Sequence, residues 1–237
     1  MKTVFKVSIL VLFLVFTTST SAQKSANTTS TIIPSDKTTS KTTSKGSPKL
    51  AIEAGYVNQI RYGSKVSPTY FYGAKIGATA KFDMKNNFSL LSGLLYSVVY
   101  SDKKQGYPYS QFVKYKTLGH YVDVPLQVMY NLPLSKTFKM FAIAGPTINI
   151  GLSQKQDITS TQTYLSTVPF YVEPRTIDFY KGSVLNRLNL QIGVGGGVQW
   201  KNYQLKSGYD FGISNLNKLD TGNQYQKGWY VTFSYEF

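Results

Sequence analysis

The last ten residues constrain this chain most. They run Gly228-Trp229-Tyr230-Val231-Thr232-Phe233-Ser234-Tyr235-Glu236-Phe237. On a strand, Trp229, Val231, Phe233, Tyr235 and Phe237 share one face, and Tyr230, Thr232, Ser234 and Glu236 share the other. An apolar face that closes on an aromatic residue fits the last strand of an outer-membrane β-barrel. Lipid would cover that face. Phe233, Tyr235 and Phe237 would then form the insertion signal, read by the barrel-insertion machinery.

The opposite end agrees. Lys2 and Lys6 precede an apolar run from Val7 to Phe16, and Thr20-Ser21-Ala22 offers a cleavage site. Residues 1–22 therefore read as a secretory signal peptide. The run has ten residues, too few for a membrane helix, which needs about 18 or more. Residues 23–49 are dominated by Thr, Ser and Lys. A segment with so little to bury cannot offset its ordering entropy, so a disordered periplasmic leader is expected. The sequence contains no cysteine, which leaves no residue for a Cys-linked lipid and no disulfide framework.

Residues 50–237 suffice for one domain. The formal charge is +15, or +13 without Lys2 and Lys6. So basic a chain raises the possibility of nucleic-acid binding. The secretory signal and the scattered lysines argue against it and favour an anionic membrane surface.

Alternation predicts eight strands, at about 50–60, 69–82, 88–101, 119–132, 138–152, 185–200, 203–213 and 228–237. The sixth sets Leu188, Leu190, Ile192, Val194, Val198 and Trp200 against Asn189, Gln191, Gly193, Gly195, Gly197 and Gln199. The third is weaker, since Leu91, Leu95 and Val99 fall on its nominally polar face. Three connections are short (83–87, 133–137, 201–202). Four are longer (61–68, 102–118, 153–184, 214–227), and the two kinds alternate. Short periplasmic turns and long external loops are the outer-membrane arrangement. The predicted fold is all-β, an eight-stranded antiparallel up-and-down transmembrane β-barrel. The rival is a secreted barrel of lipocalin type, with an apolar interior and a polar exterior.

Aromatic residues mark both predicted interfaces. Phe82, Phe88, Tyr130, Phe138, Trp200, Tyr203 and Phe237 lie beside short turns or at the carboxyl end and would form a periplasmic girdle. Tyr70, Tyr72, Tyr100, Tyr121 and Trp229 would form the outer one. Pro125 is expected at an irregular spot, because proline removes a ladder donor. Gly195-Gly196-Gly197 suggests a bent stretch of wall, or room for a bulky neighbour across the lumen.

Four stretches carry a family resemblance. They are Tyr121-Val122-Asp123-Val124-Pro125-Leu126-Gln127-Val128-Met129-Tyr130, Ala144-Gly145-Pro146-Thr147-Ile148-Asn149, Ile192-Gly193-Val194-Gly195-Gly196-Gly197 and Tyr209-Asp210-Phe211-Gly212-Ile213-Ser214-Asn215-Leu216. Together they resemble the PorT-like outer-membrane β-barrel (porin-like) proteins of Bacteroidota, over roughly residues 50–237. The resemblance implies an integral outer-membrane barrel. One branch of the family also implies an accessory role in protein secretion across that membrane.

In these registers Glu53, Asp123, Asp210 and Glu236 point inward with Lys75, Lys81, Lys139, Arg187 and Lys206. Acids and bases in so narrow a lumen should pair, since unpaired charge away from water is costly. They form either an ion-pair plug, the favoured reading, or a proton or ion path. A wide diffusion pore needs roughly 16 strands. The long connections carry Arg61, Lys65, Lys103, Lys104, Lys114, Lys116, Lys155, Arg175, Lys181, Lys218 and Lys227 against Asp102, Asp157, Glu173, Asp178 and Asp220. Such a rim suits the phosphates of lipopolysaccharide, or it is an ordinary solvated surface.

Catalytic signals are sparse. His120 is the only histidine, so no multi-histidine metal site exists and no cofactor is implied. With Ser101 or Ser110 and Glu173 it could build a lipid-modifying triad at the outer rim, although no spacing is diagnostic. The leading expectation is a non-enzymatic outer-membrane barrel with a structural or surface-interaction role. Its partners would be outer-membrane lipids, lipopolysaccharide, and surface or secretion-system proteins contacted through residues 102–118 and 153–184.

Overall fold

The computed structural model describes residues 47–64, 66–107, 111–161, 173–219 and 222–237. The expected signal peptide and nearly all of the expected leader lie outside them, as do Lys65, Ser110 and Asp220.

Period-2 alternation yields strands throughout. They are β1 Lys49–Gly63, β2 Val66–Asp83, β3 Phe88–Tyr107, β4 Gln111–Pro133, β5 Phe138–Thr161, β6 Arg175–Asp178, β7 Leu188–Trp200, β8 Tyr203–Gly212 and β9 Gln224–Glu236. Eight of them close a ring. Each of β1 to β5 pairs with the next, β5 pairs with β7, β7 with β8, β8 with β9, and β9 with β1. Every pair is antiparallel, so the ring has no free edge at its waist. β6 adds to β5 and has no place in the ring.

The two faces of the wall label themselves. Ile52, Ile76, Leu94, Val128, Ile192, Leu205 and Phe233 point outward and are exposed, whereas Glu53, Lys75, Thr79, Asp123, Gln191 and Lys206 point inward and are buried. An apolar exterior around a polar interior is the reverse of a lipocalin and calls for lipid. Leu91, Leu95 and Val99 point inward as their parity requires, and they help to fill the lumen.

The short connections behave as local chemistry dictates. Asn86 and Asn87 take positive φ (59° and 65°), and Lys201 does so in the turn between β7 and β8 (φ 52°). Asparagine tolerates that region better than most residues. The ladder between β4 and β5 breaks at Pro125. Pairing stops at Pro125↔Thr147 and resumes at Val128↔Ala144. Opposite the break, Gly145 takes φ 153°.

The long connections differ from expectation. Residues 102–107 continue β3, residues 111–118 open β4, and residues 153–161 continue β5. A crossing needs about 9–11 residues, yet β4 has 23 and β5 has 24. These strands therefore stand beyond the bilayer as a protruding sheet. Their many lysines and polar residues resemble a loop in composition. Cross-strand pairing, which composition does not reveal, makes them strands.

Candidate functional site

The lumen is filled in layers. At the end with the short turns, Lys81 donates to Glu236, whose carboxylate also accepts from Gln204 Nε2 at 2.9 Å and Gln199 Nε2 at 3.5 Å. Next comes an apolar layer of Leu91, Met129, Phe141 and Ile143. A Cβ on Gly197 would lie only 2.6 Å from Cζ of Phe141, its direct partner on β5, so the small residue makes room for the ring beside it.

The middle layer holds most of the charge. Lys206 Nζ lies 2.7 Å from Glu53 Oε2, and Lys75 Nζ lies 2.9 Å from Asp123 Oδ2. Ser97 Oγ and Asn149 Nδ2 also donate to Asp123. Both ammonium groups lie over the ring of Tyr230, at 5.0 Å for Lys75 and 5.9 Å for Lys206. Asp210 faces the same space. The cavity left between these groups is about 10 Å³, room for roughly one water.

The outer layer centres on Arg61. Its Nε donates to Gln226 Oε1 at 3.0 Å, its Nη1 to Gln154 Oε1 at 2.6 Å and its Nη2 to Tyr121 Oη at 2.8 Å. A cap closes over it. Tyr180, Leu185 and Leu216 pack on Val57, Phe71, Val99, Tyr121 and Tyr230. The two cap segments are tied together, with Asn186 N donating to Leu216 O at 2.8 Å and Lys218 N to Val184 O at 3.1 Å. Burial holds the Tyr180 phenol well above its ordinary range, and the neighbouring Tyr121 adds to the shift.

Seven of the nine residues expected in the lumen face it and lie in these layers: Glu53, Lys75, Lys81, Asp123, Lys206, Asp210 and Glu236. The other two sit elsewhere. Lys139 is half-buried at the periplasmic mouth, lining a cleft of about 310 Å³ with Lys81, Asp83 and Asn131. Arg187 is exposed at the outer end, where it donates to the carbonyls of Gly151 (3.1 Å) and Leu152 (3.0 Å) and stacks over Tyr180. It precedes the first residue of β7, so strand parity did not govern its direction.

Arg61 was expected on the outer rim and is instead 4% exposed inside the barrel. The signal was available. Glu53, Val57, Gln59 and Arg61 keep one parity along β1. Tyr121 was expected in the outer girdle, but it points inward and is 1% exposed. Gln154, Gln199, Gln204 and Asn149 were not singled out, because uncharged amides on a polar face look alike in sequence.

Phe82, Phe88, Tyr130, Trp200, Tyr203 and Phe237 are exposed at the short-turn end, and Phe138 is half-buried there. Neighbouring rings touch, Phe88 with Tyr130 at 5.0 Å and Tyr235 with both Tyr203 and Phe237 at 5.2 Å. Phe233 and Tyr235 are exposed on the same outward face of β9. His120 lies on the outer face, with Nδ1 2.6 Å from Tyr96 Oη. Ser101 is buried on the inner face, so these two members of the suggested triad do not meet. Ser110 is outside the described residues, and Glu173 is exposed.

A closed antiparallel barrel that is apolar outside and plugged with paired charge inside defines an integral outer-membrane protein. The chain belongs to the outer membrane protein beta-barrel domain family, whose profile matches residues 15–218. Among solved structures it is similar to Ail, the attachment invasion locus protein of Yersinia pestis, in complex with the heparin analogue sucrose octasulfate. That match has 12% identity and a TM-score of 0.38, and covers 80% of this chain and 99% of Ail. It is similar to Neisserial surface protein A at 12% identity and TM-score 0.39, over 79% of this chain and 97% of the other. The outer membrane enzyme PagL matches at 11% identity and TM-score 0.35, over 76% and 98%. Comparison with curated proteins gives no match.

Proposed function

We propose that this protein is a non-enzymatic outer-membrane barrel that works through its outer surface, contacting lipopolysaccharide or surface proteins. The sealed lumen carries this reading. Ion pairs, an apolar layer and a cap fill the lumen above the periplasmic mouth, and the cavity in its middle layer is about 10 Å³, too small for a hydrated solute. Function then belongs to what stands outside the membrane, chiefly the sheet built by the outer parts of β3, β4 and β5. The test replaces residues 103–115 with a two-residue turn. The shortened barrel should keep its heat-modifiable migration and lose binding to lipopolysaccharide or to surface proteins. Unchanged binding, or single-channel conductance from the intact barrel, would overturn the reading.

The PorT-like motifs favour a second reading, an accessory role in protein secretion across the outer membrane. Asp123 and Asp210, both within those motifs, belong to the mid-lumen layer, so the likeness extends to the groups that fill the barrel. A deletion strain that retains secreted cargo in its periplasm would support this role, and normal export would exclude it. Residues 1–22 act in either case as a cleaved signal, and the mature protein should begin at Gln23 on amino-terminal sequencing.

A further inference from the structure

The protruding sheet ends on one side in the four-residue β6 and on the other in a longer edge that the fold leaves open. β2 accompanies β3 only to the pair Tyr72↔Tyr100. β3 runs on to Tyr107, hydrogen-bonded on one side to β4 through pairs from Ser101↔Thr117 to Tyr107↔Gln111. At the other side of the sheet the chain covers its own edge, because β6 adds to Lys155, Gln156, Asp157 and Ile158 of β5. Among the described residues no strand does the same for β3 beyond Tyr100. An edge of this kind presents a row of backbone N–H and C=O groups to an incoming strand.

We propose that residues 101–107 of β3 accept an extended acidic segment of a partner protein as an added strand. The proposal rests on the surface-interaction reading above and names the partner's chemistry. Lys103 and Lys104 lie on the edge strand, and Lys114 and Lys116 lie on the strand beside it, where Lys114 faces Lys104 and Lys116 lies between two acids, Asp102 and Asp157. Asp102 is already engaged by Tyr100 Oη at 3.2 Å and Lys114 Nζ at 3.5 Å. An incoming strand with carboxylates at alternate positions meets this excess of positive charge and gains main-chain hydrogen bonds at the same time.

The same charges disfavour two other occupants. A second copy of this chain would bring the same lysines to this edge again, and like charges brought together across a strand pair are destabilising. The Thr/Ser/Lys-rich residues 23–49 are basic as well, so they lack the carboxylates that would complement these lysines.

The experiment is residue-resolved amide exchange on the full barrel in lipid nanodiscs, with a heptapeptide of alternating Thr and Glu as probe. At saturation, the amides of 101–107 that do not donate to β4 should slow at least about tenfold. An alternating Thr and Lys peptide should leave them unchanged. The double variant Lys103→Glu/Lys104→Glu should lose the effect while keeping its heat-modifiable migration. No slowing with the acidic peptide, equal slowing with both peptides, or slowing on raising barrel concentration alone would each overturn strand addition. Conductance across a planar bilayer separates the two levels. A current would sink the surface-interaction reading itself, whereas a silent barrel with unprotected amides sinks only the added strand.

Discussion

Lys206 Nζ and Glu53 Oε2 meet at 2.7 Å on the inside of the wall, spanning β9, the strand that separates β8 from β1. The partners are 153 residues apart in sequence, and their side chains are 5% and 2% exposed. The contact ties the start of the barrel to its end. Removing one member strands the other charge out of water, at a cost of about 3–5 kcal/mol. Glu53→Ala should therefore lower the urea midpoint of the barrel in detergent substantially, whereas Glu53→Met with Lys206→Met should leave it near the parent or above it. Equal losses in the single and double variants would show that side-chain volume, and not charge pairing, matters at this site.

Arg61 holds Gln226, Gln154 and Tyr121 directly beneath the cap. Hydrogen bonds to a charged group contribute about 1.5–3 kcal/mol each when an orphaned partner stays buried. Arg61→Met should loosen the outer layer first. Protease cleavage within residues 179–187 should become faster, while heat-modifiable migration survives because β1–β9 pairing remains. Cleavage at the parent rate would mean that the cap is held by its apolar packing alone.

Gly145 sits opposite the break at Pro125 with φ 153°, and an added Cβ would lie 2.8 Å from Gln127 Cα. Strain in that region costs about 1–3 kcal/mol for residues other than glycine, before any clash. Gly145→Ala should reduce the yield of folded barrel on refolding into micelles, measured as the fraction that migrates as the compact form. Gly106→Ala is the control, since a Cβ there meets only the ring of Phe112 at 3.7 Å. Similar yields from the two variants would refute a special role for Gly145.

Phe237 is 68% exposed, and its truncation leaves no internal cavity. Its value to the folded barrel is therefore small, and its expected value lies in insertion. Phe237→Asp should cut the amount of folded protein in the outer membrane of cells severalfold, yet change refolding of the purified chain little. A matching loss in both assays would make Phe237 a stability residue and remove its signalling role.

Much of this barrel was legible in sequence because strand periodicity is local. Alternation in β4, β7 and β9 fixed which side chains share a face, and the short turns at 83–87 and 201–202 fixed where the chain reverses. Asp123, Lys206 and Glu236 could therefore be assigned to the lumen from parity alone. Parity failed where the strand context was misjudged. Arg61 falls in the expected connection 61–68, yet β1 runs on to Gly63 and its parity turns Arg61 into the lumen, and Tyr121, expected among the outer aromatics, has the parity of Asp123 and points inward. Arg187 lies outside any strand, so alternation says nothing of it.

The sequence by itself determined which residues share a strand face, because that follows from neighbours two residues apart, and the need for charges on the polar face to pair if that face lines a lumen. Tertiary structure alone decided that the apolar face turns outward, which acid meets which base, that two loop segments fold in as a cap over Arg61, and that polar stretches beyond the membrane continue as a sheet with a long open edge on β3. Those outcomes depend on cross-strand register and on contacts such as that of Arg61 with Gln226, 165 positions apart. Closing the ring brings these residues together, and no local pattern encodes that proximity.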